Sequence, residues 1–250
     1  MTEEKVQFSN GRGEWLAGIA HYPRDRSGNS AVILCHGMES NKDSDKLILL
    51  ARTLAEHGVF ALRFDFTYCG ESSGSFADIT CSGEVEDLRA AFDFVAHSFR
   101  KIAIFGSSMG GTVALLFAAK EASVAGLVTF AAPVHPEDFP RRLLSDAEIG
   151  LWRQQGFAMY HGQRLNLTLL EDLEHIDVPS AARRITCPVL ILHGDCDEVV
   201  PVQEARELYF CLAGKKQLSI LPGGDHRMSN PDLMERAMSE TLTWLLDSVG

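Results

Sequence analysis

Short apolar runs alternate with longer amphipathic stretches along most of the chain, and the two periods divide it into elements. Val6 to Phe8 and Trp15 to Tyr22 read as strands joined through Asn10-Gly11-Arg12-Gly13, too short for a parallel crossover, which predicts an opening antiparallel hairpin. Ala31 to Cys35 and Val59 to Phe64 are apolar runs of strand length, and between them Leu47, Leu50, Ala51, Leu54 and Ala55 recur at helical spacing. A glycine-bearing loop from Asp65 to Ser82 leads to a second helix marked by Val85, Leu88, Ala91, Phe92 and Val95. Ile102 to Phe105, Val124 to Phe130, Val189 to Leu192 and Leu218 to Leu221 repeat the buried-strand pattern. This alternation predicts an α/β architecture, a mainly parallel sheet covered on both faces.

Between Pro133 and Pro188 the alternation fails. The segment reads as helices and irregular chain rich in Arg, Asp and Glu, with Phe139, Trp152, Phe157 and Tyr160 interspersed. Ser145-Asp-Ala-Glu148 fits a capping box, so a helix is expected to start there. So long a stretch without sheet pattern is more than a plain loop, and a small cap is the expectation. The predicted organisation is a core of residues 1–132 and 186–250 with a cap insertion of residues 133–185. The tail from Pro231 to Leu246 repeats Leu233, Met234, Met238, Leu242 and Leu245 at helical spacing after Asn230, a good N-cap before proline at the first helical position.

Composition narrows the partners. A chain of 250 residues with a net charge of −11 can close one large core and repels phosphate backbones and anionic lipid, so no nucleic acid and no membrane is expected. No apolar run approaches the ~20 residues needed to cross a bilayer, and the opening Met-Thr-Glu-Glu-Lys lacks an apolar signal core, so a soluble, cytoplasmic protein is expected. The six cysteines at 35, 69, 81, 187, 196 and 211 show no CxxC pairing and are expected to be free thiols. No metal-ligand spacing occurs, and no cofactor is expected. The oligomeric state is left open, a homodimer included.

The candidate chemistry begins where the Ile102 to Phe105 strand runs into Gly106-Ser107-Ser108-Met109-Gly110-Gly111 and a helix-compatible stretch follows. This is a G-x-S-x-G elbow: a nucleophile on a sharp strand-to-helix turn needs small residues two places either side, and the helix N-terminus favours developing negative charge. A Walker A loop would require lysine after Gly111, where Thr112 stands, and no G-x-G-x-x-G occurs. His193-Gly-Asp-Cys-Asp197 and Gly223-Gly-Asp-His226 each follow a predicted strand, at the strand ends that line the crevice of α/β sheets. Serine, acid and histidine thus come in the order Ser, Asp, His. Asp195 and Asp225 compete with Asp197 as the acid.

On these residues, with His36-Gly37 after the third strand and Arg63-Phe-Asp-Phe followed by Gly70-Glu-Ser72, the sequence resembles the α/β-hydrolase superfamily over nearly its whole length. Within it the chain looks most like small capped bacterial esterases of the cinnamoyl and feruloyl type. The resemblance implies a mostly parallel sheet of about eight strands, Ser108 as nucleophile, His226 as general base and then acid, and Asp197 as the group that orients the imidazole. It implies oxyanion donors in the backbone N–H groups of Met38 and Met109, each worth ~2.7 to 4 kcal/mol of transition-state stabilisation. It implies a small-molecule carboxylic ester substrate, cleaved through an acyl-enzyme. Trp152, Phe157 and Tyr160 are the candidate substrate-binding residues of the insertion, and the same residues could anchor it to the body. An amide hydrolase of the aminopeptidase type, with Glu171, Asp172 and Glu174 holding a substrate amine, and a silent binding protein on the same fold are the alternatives. One departure is Tyr68, where such esterases carry glycine; its bulk is expected to narrow the pocket.

Overall fold

Side chains alternate between two cores on either side of one sheet. In β3 (Ser30–Cys35), Ala31, Ile33 and Cys35 join one apolar cluster while Val32 and Leu34 join the other. Such runs are apolar at every position because both faces are covered, and each fully buried Leu, Ile or Val contributes roughly 1.5–3 kcal/mol. The computed structural model describes residues 1–250, except for the side chain of Leu143.

Before β3 come β1 (Thr2–Ser9) and β2 (Trp15–Tyr22), and after it α1 (Asp45–Glu56), β4 (Phe60–Phe64), α2 (Cys81–Ala96), β5 (Lys101–Ser107), α3 (Met109–Ala118) and β6 (Val124–Phe130). A segment without a strand of the main sheet follows: α4 (Phe139–Leu143), α5 (Asp146–Gln155), β7 (Phe157–Tyr160), β8 (Gln163–Asn166), α6 (Leu167–Leu173) and α7 (Val178–Ala182). The chain then returns through β9 (Val189–Gly194), α8 (Val202–Cys211), β10 (Lys216–Leu221) and α9 (Pro231–Val249). Among the described residues eight strands form the main sheet in the order β1-β2-β4-β3-β5-β6-β9-β10. β2 runs antiparallel to β1 and β4, and every later pairing is parallel.

α2, α3 and α8 bury their apolar stripes on one face, and α1 and α9 cover the other. The helix starts follow their sequence signals. Asn230 Oδ1 accepts the Asp232 N–H at 2.9 Å ahead of α9, and the Ser145 box is closed in both directions at the start of α5.

The expectation of helices and irregular chain for the insertion needs one correction. β7 and β8 form an antiparallel hairpin across His161-Gly162, both with positive φ (46° and 79°), the two-residue turn whose twist matches paired strands. Among the described residues no helix is long and apolar enough to cross a membrane, and all six cysteines are unbridged.

Candidate active site

The centre of the site is a backbone feature. Ser108 stands between β5 and α3 at φ 52°, ψ −125°, a conformation L-residues seldom adopt, and its N–H donates to Phe130 O of β6 at 2.8 Å. The glycines around it answer close approaches. A Cβ on Gly106 would lie 2.3 Å from Gly110 O, and one on Gly110 would lie 2.2 Å from His36 O.

Ser108 Oγ is 3.0 Å from His226 Nε2, and His226 Nδ1 is 2.8 Å from Asp197 Oδ2. Three stretches distant in sequence therefore meet in one hydrogen-bonded line. The Asp197 side chain is fully buried. Its second oxygen accepts the N–H groups of Val199 and Val200 at 2.9 and 2.8 Å, and His193 Nε2 lies 3.2 Å from Oδ2. Burial alone would raise its pKa, but hydrogen bonds from His193, His226 and Val200 outweigh it and hold the carboxyl far below the usual range. The competing acids are spent elsewhere: Asp195 accepts from the Gly223 N–H at 2.6 Å and Asp225 from the Ser229 N–H at 2.7 Å.

Met109 is the first residue of α3, where an amide has no partner within the helix. Met38 follows β3 in a loop fixed by two buried groups. His36 Nε2 accepts the Phe66 N–H at 3.1 Å, which leaves the proton on Nδ1 to donate to Gly37 O at 2.8 Å. Lys42 Nζ meets the buried Asp65 carboxylate at 2.8 Å, and Asp65 also accepts the N–H groups of Lys42 and Glu71. Those contacts account for the Arg63-Phe-Asp-Phe and Gly70-Glu-Ser72 motifs: Asp65 ties together the loops that follow β3 and β4.

Two cavities share Ser108 and Met38. One, the more open and the more polar of the two, has a volume of about 570 Å³ and includes Lys46, Tyr160, His226 and Arg227. The other, narrow and apolar, has about 50 Å³ and includes Met109, Phe139, Leu169 and Leu173. A further cavity of about 530 Å³ lies between Tyr22, Phe60 and Phe99 and contains none of these residues.

Of the three aromatic residues expected to bind substrate, only Tyr160 lines the cavity at Ser108. Trp152 is a correction: it is 2% exposed, packed in the main apolar cluster, and anchors α5. Phe157 is another, its ring covered by the Arg164 guanidinium at 4.2 Å and outside both cavities. Tyr68 does not narrow the pocket. With φ 73° its hydroxyl turns away to donate to Glu14 at 2.8 Å. Glu171, Asp172 and Glu174 line neither cavity; Asp172 accepts the Ser82 N–H at 3.1 Å and Glu174 pairs with Arg153. Sequence reasoning missed Lys46, whose Nζ donates to Ser107 Oγ at 2.8 Å. It also missed Glu39, which accepts from His161 Nδ1 at 2.9 Å and from the Tyr160 hydroxyl at 3.3 Å.

Few architectures set a serine on a left-handed strand-to-helix turn near the middle of a mostly parallel sheet; the α/β hydrolases do, and this chain is of that class. A family model described as an alpha/beta hydrolase domain matches residues 28–183, more than half of the chain, and the protein belongs to that family. A second model, described as serine aminopeptidase, S33, matches residues 158–231. The solved structure of ferulic acid bound to Est1E from Butyrivibrio proteoclasticus superposes with a TM-score of 0.88 over 98% of this chain and 99% of that one, at 23% identity. The esterase domain of a Rhodothermus marinus protein is 27% identical over the full length of both chains, with a TM-score of 0.77. The mitochondrial palmitoyl-protein thioesterase ABHD10 of Mus musculus is 27% identical over 83% of this chain and 72% of its own length.

Proposed function

We propose that the protein is a serine hydrolase that cleaves a carboxylic ester of a short acyl group through an acyl-enzyme, with water as the second nucleophile. The observation that carries this reading is the line from Ser108 Oγ through His226 to the buried Asp197. In the first step His226 Nε2 takes the serine proton while Oγ bonds to the carbonyl carbon, and the negative oxygen is held by the N–H groups of Met38 and Met109. The tetrahedral species collapses as the bond to the leaving oxygen breaks and His226 delivers its proton there. Water then repeats the sequence: its proton passes to His226, its oxygen bonds to the acyl carbon, and Ser108 leaves with the proton. Asp197 stays ionised throughout, holding Nδ1–H and balancing the imidazolium.

The two cavities divide the substrate. His226 lines the open cavity and not the narrow one, so the leaving alcohol that it protonates belongs in the open cavity and the acyl group in the narrow one. The acyl cavity is much smaller than the alcohol cavity, about 50 Å³ against about 570 Å³, which favours short acyl groups over long chains. Residues 133–185 act as a cap: Phe139, Leu169 and Leu173 shape the acyl side and Tyr160 the alcohol side.

The test is a series of 4-nitrophenyl esters from acetate to palmitate, together with labelling by a fluorophosphonate probe. The expected result is labelling that disappears in Ser108→Ala and a kcat/KM that falls beyond the short chains. The S33 match favours amide substrates as the second reading, and robust cleavage of an aminoacyl anilide with no ester turnover would install it instead.

A further inference from the structure

Two lysines of the same loop and helix start have opposite circumstances. Lys42 is buried against three carboxylates, those of Asp43, Asp65 and Glu71. Lys46, in the first turn of α1, lines the open cavity with Ser108 and His226 and has no such company. Its ammonium donates to Ser107 Oγ and rests 3.9 Å from the centroid of the Phe130 ring. An ammonium carries three donors, so part of its capacity is unspent. Among the described residues no carboxylate stands within ion-pair distance of it, and desolvation pushes its pKa down to about 8, leaving it mostly charged at neutral pH.

The carboxylates that share the cavity are otherwise engaged. Glu39 is taken by Tyr160 and His161, and Glu198 faces the His226 N–H at 3.4 Å. Arg227 adds a second cation at the exposed side of the same cavity. In a chain with a net charge of −11, an unpaired, partly buried cation beside the reacting serine is an anion site awaiting its ligand.

We propose that Lys46 receives a carboxylate on the alcohol half of the substrate, so that the protein prefers esters of acidic alcohols to esters of neutral ones. This rests on the serine hydrolase reading, which puts the leaving alcohol in the cavity that His226 and Lys46 share. The ammonium leaves the chemistry to Ser108 and His226. It selects and seats the substrate.

The test compares 3-acetoxybenzoate with 3-acetoxybenzamide, which have the same acyl group and leaving phenols of similar shape, one anionic and one neutral. The wild-type protein is expected to favour the anionic ester by about tenfold or more in kcat/KM, as for a hydrogen bond between charged groups, with the difference carried mainly by KM. Lys46→Met should bring the ratio close to one and Lys46→Arg should retain most of it; using the ratio cancels any loss of folded protein or any shift of Ser107. Equal turnover of the two esters by the wild type, or a preference that survives Lys46→Met, overturns the role of Lys46 and leaves the Ser108 reading standing. If neither ester is cleaved, the esterase reading falls and Lys46 falls with it.

Discussion

Ser108 and Asp197 stand just beyond β5 and β9, strands hydrogen-bonded to neighbours on both sides, and His226 follows β10 in the same sheet. The other wall of the site, from Phe139 to Leu173, hangs on side chains. Asn166 Nδ2 donates to Asp78 at 2.7 Å, Asp172 accepts from the Ser82 N–H, Arg142 pairs with Glu204, and Trp152 plugs the main core. A position set by a backbone ladder survives the loss of its own side chain, whereas a wall held by side chains moves when one is removed. Substitutions in the first region should therefore delete chemistry and leave shape intact, and those in the second should change shape or stability and spare the chemistry.

The largest expected effect sharpens the first half of that contrast. Ser108→Ala should lower kcat by about 10⁶-fold while thermal melting and circular dichroism stay close to wild type; a cooperative loss of structure would show that the elbow depends on its hydroxyl. Asp197→Asn should cost about 10⁴-fold in kcat, against a change of less than about threefold for Asp195→Asn, which touches no reacting group. The reverse ranking would reassign the acid. The same residue has a stability signature. Its folded-state pKa lies below the unfolded one, so the stabilisation is present above about pH 4 and is lost as pH falls further. Wild-type melting temperature should fall more steeply below that pH than that of Asp197→Asn.

Trp152→Ala tests the second half. Emptying so large a buried site should cost about 3–5 kcal/mol in urea unfolding, and amide exchange should report the loss first within residues 133–185 while β3 to β6 keep their protection. Uniform loss over the molecule would mean that the two regions are one cooperative unit. The smallest effect belongs to Glu39→Gln, which weakens the tie to His161 and Tyr160 at the exposed hairpin. A charged surface pair of this kind is worth about 0.2–1 kcal/mol, so KM should change by no more than about fivefold and kcat by less.

The same contrast explains what could be read from the chain. β3 to β6 and β9 announce themselves because strands covered on both faces are apolar at successive positions, and the elbow announces itself because backbone closeness excludes any side chain at Gly106 and Gly110. The β7–β8 hairpin was hidden by strands of four residues with little burial, although the His161-Gly162 pair between alternating side chains is a usable signal. Trp152 and Tyr160 look alike in sequence, and only packing separates the anchor from the cavity wall. Lys46 reads as one more solvated charge at a helix start, because the place to which that start points is a tertiary fact. Tyr68 lines neither cavity at Ser108, because its hydroxyl is held by Glu14, which also lies outside both.

β6 lies between β5 and β9; its Phe130 accepts the Ser108 N–H, and Ala131, directly after it, donates to Leu192 O at 2.9 Å. It works as a spacer of fixed gauge: two inter-strand steps, about 9–10 Å in all, separate the strand of the hydroxyl from the strand of the carboxylate. An imidazole with a nitrogen on each side bridges that gap, and the roof above can be rebuilt residue by residue without the gauge being cut again.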